Sequence, residues 1–280
     1  MAFTDGSWVP GAESNSQATQ LVSGDLSPNQ VPEVAGNVAI GDGAGCLKVI
    51  TAYYDLAQAD NRILVEWLLR PRRKIPKNLR HGLAELLIGK LYRTQDVRYT
   101  LAEMLHSSAV SNAFDLVIID CPPRLTTSEI QAFCASTHLL IPTIFDRPSA
   151  EAVVSLCDQV ENLKKENICP HLNYIGVVGT KWTGGVANLA AVPFVKDALQ
   201  ARNLQIPILP QNTFVPQAAA MVNDAWDGIA YLEMPARAAK VRDAIEKLAE
   251  TIAGQMGLVQ PLPPPAPVNL PQNVAEPAAK

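Results

Sequence analysis

The 280-residue chain is 48% hydrophobic and 18% charged, and it has a formal net charge of −4. This composition argues against a wholly disordered chain and against a protein that is basic over its entire surface, while a local basic patch stays compatible with it. No apolar run approaches the roughly 18 residues of a membrane helix, and no signal peptide is recognisable. We therefore predict a cytoplasmic protein with no membrane partner, whose five cysteines are reduced and lack zinc spacing.

The two ends of the chain differ in composition from its middle. Residues 1–38 are rich in Ser, Gly, Asn, Gln and Pro and show no sustained hydrophobic period, which predicts a flexible N-terminal segment. Residues 258–280 carry prolines at positions 261, 263, 264, 265, 267, 271 and 277, which predict a disordered Pro-rich tail. Residues 39–257 are predicted to form one α/β domain.

The middle of the chain alternates between strand-like and helix-like patterns. In chain order, strands are predicted at 47–51, 114–120, 138–142, 172–179 and 206–210, and helices at 58–69, 83–106, from Thr126, from Ser149, and at 187–202, 215–222 and 235–254. Thr126 is followed three residues later by Glu129, which is the capping-box spacing, and Ser149 is predicted to cap the next helix.

Strands that alternate with helices of ten or more residues predict βαβ units. The expected fold is therefore α/β, a doubly wound and mostly parallel sheet with helices on both faces. The run from Leu116 to Ile119 is apolar on both faces, so we predict a central parallel strand there, flanked by residues 139–141. Ligands of such sheets bind beyond the carboxyl ends of the strands, a rule that selects Asp120, Thr143, Thr180, Lys181 and Gln211.

Asp120 ends the most distinctive motif of the chain. The sequence from Ile118 to Pro123 is an apolar strand, an aspartate and a strand-breaking pair of prolines. Such a strand delivers one carboxylate to the ligand edge of the sheet, where a Mg²⁺–nucleotide site needs a hard oxygen ligand. An aspartate that only caps the following loop explains the same pattern, and the residues alone leave both possibilities open.

The segment FDLVIIDCPPRL, residues 114–125, resembles the Walker B and switch II region of ParA/MinD-type P-loop ATPases. Residues 138–142, 174–181, 208–212 and 215–218 resemble later segments of that family in the family's order, and 47–69 resembles the strand and helix that precede Walker B. The resemblance covers about residues 46–255 and implies the P-loop NTPase-like version of the predicted fold.

The resemblance also implies a function and a set of site residues. Asp120 would take the catalytic, Mg²⁺-linked role, and Thr180, Lys181 and Pro210 would contact the nucleotide base, although Lys181 also fits an ordinary βα turn. The implied cofactors are ATP and Mg²⁺. The implied partners are a second subunit in a homodimer, non-specific DNA and a ParB-like centromere-binding protein.

The chain departs from this family at the phosphate-binding loop. The family has a first strand and a loop of the K-G-G-x-G-K-[ST] kind, whose amides and lysines hold the phosphates. Here no lysine or arginine precedes Lys48, and the Gly-rich segment 41–48 leads into a strand and carries Asp42. We therefore expect a ParA-like partitioning protein that lacks the first strand and P-loop, is truncated, and has no independent ATPase activity. A non-catalytic interaction module or remnant is the alternative.

A basic segment lies between the first two predicted helices. Its cations fall within eleven residues, are interrupted by Pro71 and Pro76, and are Arg70, Arg72, Arg73, Lys74, Lys77 and Arg80. Clustered cations in an exposed loop can contact DNA phosphates. Because aromatic residues are not interleaved with them, a solvated linker explains the segment equally simply.

Overall fold

The computed structural model describes residues 2–4, 7–9, 17–38, 46–52, 55–69, 96–122, 125–218 and 238–258. The predicted basic segment 70–80, the first part of the predicted helix 83–106 and the Pro-rich tail beyond residue 258 lie outside these ranges. Within the ranges, no helix has both the length and the apolarity that a membrane crossing requires.

The N-terminal part contains short strands and a group of helices. The strands form two antiparallel pairs, β1 (Ala2–Thr4) with β2 (Ser7–Val9) and β3 (Gly36–Val38) with β4 (Leu47–Val49). The helices are α1 (Gln17–Ser23), α2 (Val31–Val34), α3 (Asp55–Leu69), α4 (Thr100–Leu105) and α5 (Ser108–Ser111), with 3₁₀ turns at Pro28–Gln30 and Val97–Tyr99.

The C-terminal part has the βα alternation that the sequence predicts. Its elements are α6 (Thr127–Ala135), β5 (His138–Thr143), α7 (Arg147–Lys165), β6 (Asn173–Gly179), α8 (Val186–Ala201), a 3₁₀ turn at Gln211–Thr213 and α9 (Ala239–Gln255). The predicted capping box of α6 is confirmed, since the Thr126 amide donates to Glu129 Oε2 at 2.6 Å.

Strands β5 and β6 pair in parallel, and residue 208 bridges to the far side of β6. The ladder brings Pro142 opposite Val178, and one step further the Thr143 carbonyl accepts a hydrogen bond from the Thr180 amide at 2.8 Å. Residues 175–179 are buried because α7 and α8 cover the sheet together with residues 206–214. Parallel pairing beneath helices explains why β6 is an almost continuous apolar run.

Helix α6 joins two apolar cores. Ala132 and Ala135 pack into a cluster with α1, α2, α4 and α5, while Phe133 and Cys134 pack with Val160 of α7 and with Leu172. A helix that contacts two cores is buried over most of its circumference, and six of the nine residues of α6 are buried. The helical N-terminal part therefore meets the sheet through α6.

The predicted central strand is not formed. Residues 115–122 lie outside every strand ladder, and within the described ranges β5 pairs only with β6. Ile119 packs against the N-terminal core, but 84% of Ile118 is exposed, as is 46% of Leu116. The apolar composition of the segment favours a strand, but a strand also needs a neighbour with free backbone groups. The described residues thus form a small parallel sheet, and a doubly wound sheet is not seen among them.

Other local predictions also need correction. Helix α7 begins two residues earlier than expected, because Asp146, not Ser149, is its cap: Asp146 Oδ1 accepts from the Ser149 amide at 2.8 Å. Residues 17–38 are not a flexible segment, since they form α1 and α2 and bury Leu21 and Val31 in the core. Residues 206–210, predicted as a strand, make a single β-bridge. Residues 215–218, predicted as the start of a helix, are not helical.

Candidate functional site

Hydrogen bonds join the ends of β5 and β6 at the sheet edge where the sequence predicts the residues that contact the nucleotide base. The Thr180 amide and hydroxyl both donate to the Thr143 carbonyl, at 2.8 and 3.2 Å. The next residue, Lys181, is exposed and has a φ of 49°, a left-handed conformation that non-glycine residues adopt only at a small energetic cost. This pair of bonds fixes Thr180 and leaves the Lys181 side chain in solvent.

A second loop, residues 210–217, closes over the same strand end. The Val215 amide donates to the Gly179 carbonyl at 2.9 Å, the Trp182 amide donates to the Val215 carbonyl at 3.0 Å, and the Gln217 amide donates to the Trp182 carbonyl at 3.1 Å. These bonds continue a parallel ladder beyond the end of β6. The structure therefore brings the predicted base-side residues of both loops to one edge.

The predicted contact residue Pro210 is occupied within its own turn. Its carbonyl accepts from the Thr213 amide at 2.9 Å and from the Thr213 hydroxyl at 2.7 Å, and Thr213 is buried. The Thr180 hydroxyl is likewise used internally. A nucleotide base at this edge would meet the Lys181 amine more readily than the Pro210 carbonyl or the Thr180 hydroxyl.

Three aromatic rings form the floor beneath the two loops. Phe145 and Phe214 stack with centroids 5.2 Å apart, and Trp182 meets both rings edge-on at 6.0 and 5.0 Å. A Cβ at Gly179 would lie 2.7 Å from the Phe214 ring, so only glycine allows this close approach of β6 to the cluster. The cluster gives the loops a rigid apolar support.

Asn188 of α8 pins the 180–185 loop from below. Its Oδ1 accepts from the Thr183 amide at 3.2 Å and from the Thr183 hydroxyl at 2.5 Å, and its Nδ2 donates to the Phe145 carbonyl at 2.8 Å. Sequence analysis missed this residue. The available signal was a lone polar residue on the face of α8 that also carries the buried Ala191 and Val195.

Asp120 stands apart from the two loops. Its side chain is exposed, and no hydrogen bond or ion pair joins it to another residue in the described ranges. The carboxylate affects its neighbour nonetheless: partial desolvation, followed by the carboxylates of Glu129 and Asp120, raises the pKa of the Cys121 thiol to about 11.

The carboxylates near Asp120 are engaged in structural contacts. Both oxygens of buried Asp60 accept from Ser128, and Glu129 accepts from the Thr126 amide. No group of three or more metal-binding side chains occurs in the described part of the chain. Among those residues Asp120 is thus a single free oxygen donor, which fits a water-mediated contact to Mg²⁺ but does not make a metal site by itself.

Lys48 is the first lysine or arginine in the sequence, and its amine is already engaged in other contacts. Lys48 Nζ donates to the Pro32 carbonyl at 2.8 Å and lies 6.0 Å from the centre of the Phe114 ring. A triphosphate requires several cations or amides for charge neutralisation. The described residues therefore do not fit a self-contained Mg²⁺–nucleotide site.

Comparison with known proteins shows what part of the chain is similar to. A family model described as AAA domain matches residues 80–174. The chromosome partitioning protein ParA of Caulobacter vibrioides is 25% identical over 150 residues, which cover 52% of this chain and 55% of that protein. The uncharacterized protein Rv1708 of Mycobacterium tuberculosis is 25% identical over 193 residues, covering 60% of this chain and 58% of that protein.

These matches support the resemblance of the chain to ParA/MinD-type P-loop ATPases. Solved structures agree on the fold. A Cyanothece McdA variant in complex with ATP superposes with a TM-score of 0.59 at 18% identity, covering 87% of this chain and 77% of that one. Cobyrinic acid a,c-diamide synthase from Mycobacterium smegmatis, with bound ADP and magnesium, superposes with a TM-score of 0.55 at 16% identity, covering 91% and 78%. The chain spans a little over half the length of the curated relatives that it matches.

The predicted site residues of this chain fall into three groups. Thr180, Lys181 and Pro210 are brought together by the paired loops. Asp120 lies at the end of a segment without strand pairing. The cations predicted to contact DNA, Arg70, Arg72, Arg73, Lys74, Lys77 and Arg80, lie outside the described residues.

Proposed function

We propose that this chain is a ParA-like partitioning protein, of the nucleotide-dependent class that segregates DNA and plasmids, and that it has no ATPase activity of its own. The observation that carries the proposal is the isolation of Asp120 within a family fold. Its carboxylate is free among the described residues, yet the sequence before Lys48 contains no lysine or arginine, and Lys48 is bonded to Pro32.

Phosphoryl transfer depends almost entirely on positioning and on neutralising the phosphate charge. A carboxylate without nearby cations repels a triphosphate. Asp120 can hold a metal-bound water only after another group has brought the nucleotide into place. Hydrolysis therefore needs groups beyond those that the described residues supply.

The relatives suggest which ligands and partners to test. ATP is bound to the McdA variant, and ADP with magnesium is bound to the diamide synthase. We extend nucleotide and Mg²⁺ binding to this chain as part of the proposal, together with a cytoplasmic location. Its proposed partners are a second copy of the chain, a ParB-like centromere-binding protein and DNA bound without sequence preference.

The proposal is tested by phosphate release from ATP and Mg²⁺, with and without DNA, for the wild-type chain and for Asp120→Ala. Asp115→Ala is the matched control, because Asp115 is an exposed aspartate on the same segment. We expect all three proteins to show the same background rate. Turnover that is retained by Asp115→Ala and lost in Asp120→Ala would contradict the proposal and assign Asp120 a catalytic role.

A non-catalytic interaction module is the second candidate, and exposed apolar surface favours it. Leu116 and Ile118 are exposed beside Asp120, and the first turns of α8 expose 86% of Val186 and half of Leu189. Exposed apolar side chains mark interaction sites where they form a patch. Equilibrium dialysis with ATP and Mg²⁺ separates the candidates, because the partitioning protein binds nucleotide and the interaction module does not.

A further inference from the structure

Both ends of α6 are hydrogen-bonded to the N-terminal part of the chain. At the start of the helix, the two carboxylate oxygens of buried Asp60 in α3 accept from Ser128, at 2.7 Å from its amide and 2.9 Å from its hydroxyl. At the end of the helix, His106 Nε2 lies 2.7 Å from the Ala135 carbonyl. The first amides and the last carbonyls of a helix have no partner within it. The N-terminal part therefore supplies partners that α6 needs at both of its ends.

Gln131 joins the middle of α6 to α1. Its side chain is fully buried, and its Nε2 donates to the Val22 carbonyl at 3.1 Å across 109 residues of sequence. Val22 lies in the last turn of α1, so its carbonyl is one of those that lack a partner within their own helix. A buried amide that loses its partner is costly, so α1 cannot leave α6 without a penalty.

The same helix also packs into the core beside the sheet. Phe133 and Cys134 belong to a cluster that includes Leu139 of β5 and Tyr174 of β6. From the loop before β6, His171 Nε2 lies 3.1 Å from the Cys134 carbonyl. One helix thus supplies core residues, and backbone partners, to both parts of the chain.

The length of α6 makes this sharing consequential. The helix has nine residues, whereas isolated helices shorter than about 12–15 residues are marginal in water. It therefore depends on packing on both of its sides. If the N-terminal part moved away, α6 would lose the packing of Ala132 and Ala135 and would melt. Melting would in turn remove Phe133 and Cys134 from the core beside the sheet.

From these contacts we propose that α6 couples the N-terminal part to the sheet, so that the two open and unfold as one cooperative unit. The Tyr99 hydroxyl donates to the Ile168 carbonyl at 3.2 Å and adds a direct contact between the two parts. A ligand or partner that binds one part then stabilises the other by linkage. This coupling goes beyond the proposed function, because it holds with or without nucleotide.

Hydrogen exchange of the full chain, followed by mass spectrometry, tests the coupling. The slowest amides of α1 and α4 are compared with those of residues 175–179 in β6, and in the wild type we expect equal protection in both parts. Asp60→Ala removes two bonds to a buried carboxylate, so we expect exchange to be about tenfold faster in both parts. Acceleration that is confined to α1 and α4, with β6 unchanged, would contradict the coupling.

Ser128→Ala is the milder variant and carries the test if Asp60→Ala does not fold. It removes the hydroxyl contacts with Asp60 and Thr126 and keeps the amide bond to Asp60. We expect a smaller increase, again equal in the two parts. Glu151→Ala is the acidic control, because it removes an exposed ion pair with Arg147, and exchange should stay within about twofold of the wild type.

Val195→Ala tests the coupling in the opposite direction. Val195 is fully buried in the core cluster of the sheet, in which none of the described residues of α6 takes part. The substitution leaves a cavity and lowers the stability of the sheet. We expect the slowest amides of α1 and α4 to accelerate by the same factor as those of β6. Acceleration in β6 alone would overturn the proposal.

Discussion

Asn188→Ala tests whether the loop that carries Thr180 and Lys181 is held from below. The substitution removes three hydrogen bonds. Phe145 is fully buried, so its carbonyl loses its side-chain partner at a cost of about 1–3 kcal/mol. Thr183 is exposed and regains water, so its two bonds account for about 1 kcal/mol together. The expected loss in the free energy of unfolding is therefore about 2–4 kcal/mol.

Urea unfolding of the purified chain, followed by circular dichroism, measures this loss. With a denaturant slope of about 2 kcal/mol per molar, the midpoint should fall by about 1–2 M. Thr183→Ala is the matched control, because it removes only the two bonds of an exposed hydroxyl, one donated to Asn188 and one accepted from the Gly185 amide, and should cost about 1 kcal/mol or less. Equal midpoints for Asn188→Ala and Thr183→Ala would refute the reasoning, since the Phe145 carbonyl would then contribute nothing.

The remaining predictions concern the backbone of β6 and the basic segment. Gly176→Ala should lower Tm by several degrees, because Gly176 has a φ of 141° and an added Cβ would lie 2.6 Å from a backbone oxygen. The control is Gly254→Ala in α9, where an added Cβ meets open space, and it should leave Tm unchanged or raise it. Weak DNA binding that falls steeply with salt is expected for the wild type and should be reduced by Arg72→Ala/Arg73→Ala/Lys74→Ala in a filter-binding assay at two salt concentrations. Equal binding by both proteins would make the segment a solvated linker.

Features that depend on neighbouring residues in the sequence were predictable. The Thr126–Glu129 capping box needs only a spacing of three residues, and it is present as expected. Strands β5 and β6 were predicted at 138–142 and 172–179, within a residue of their observed bounds, and the edge rule selected Thr143 and Thr180, which are hydrogen-bonded. Short-range chemistry therefore accounts for much of the C-terminal part.

Features that depend on distant partners were not predictable from pattern. The residues Leu116–Ile119 have strand composition, but composition does not specify a pairing neighbour, and the segment is unpaired. Ser149 fits a cap by type, yet Asp146 is three residues earlier and accepts the bond. The attachment of Asp60 to Ser128 spans 68 residues and leaves no local trace in the sequence.

Pro142 has a consequence for how copies of the chain behave at high concentration. In a parallel ladder the N–H and C=O of one residue face the same neighbouring strand, and alternate residues face opposite sides. Because the Thr143 carbonyl faces β6, Pro142 faces away from β6, where a proline has no N–H to donate. A foreign strand that approaches this edge meets an interrupted row of donors. Pro142 thus opposes strand pairing between molecules at this edge. The exposed apolar stretch Leu116–Ile118 would otherwise favour such pairing.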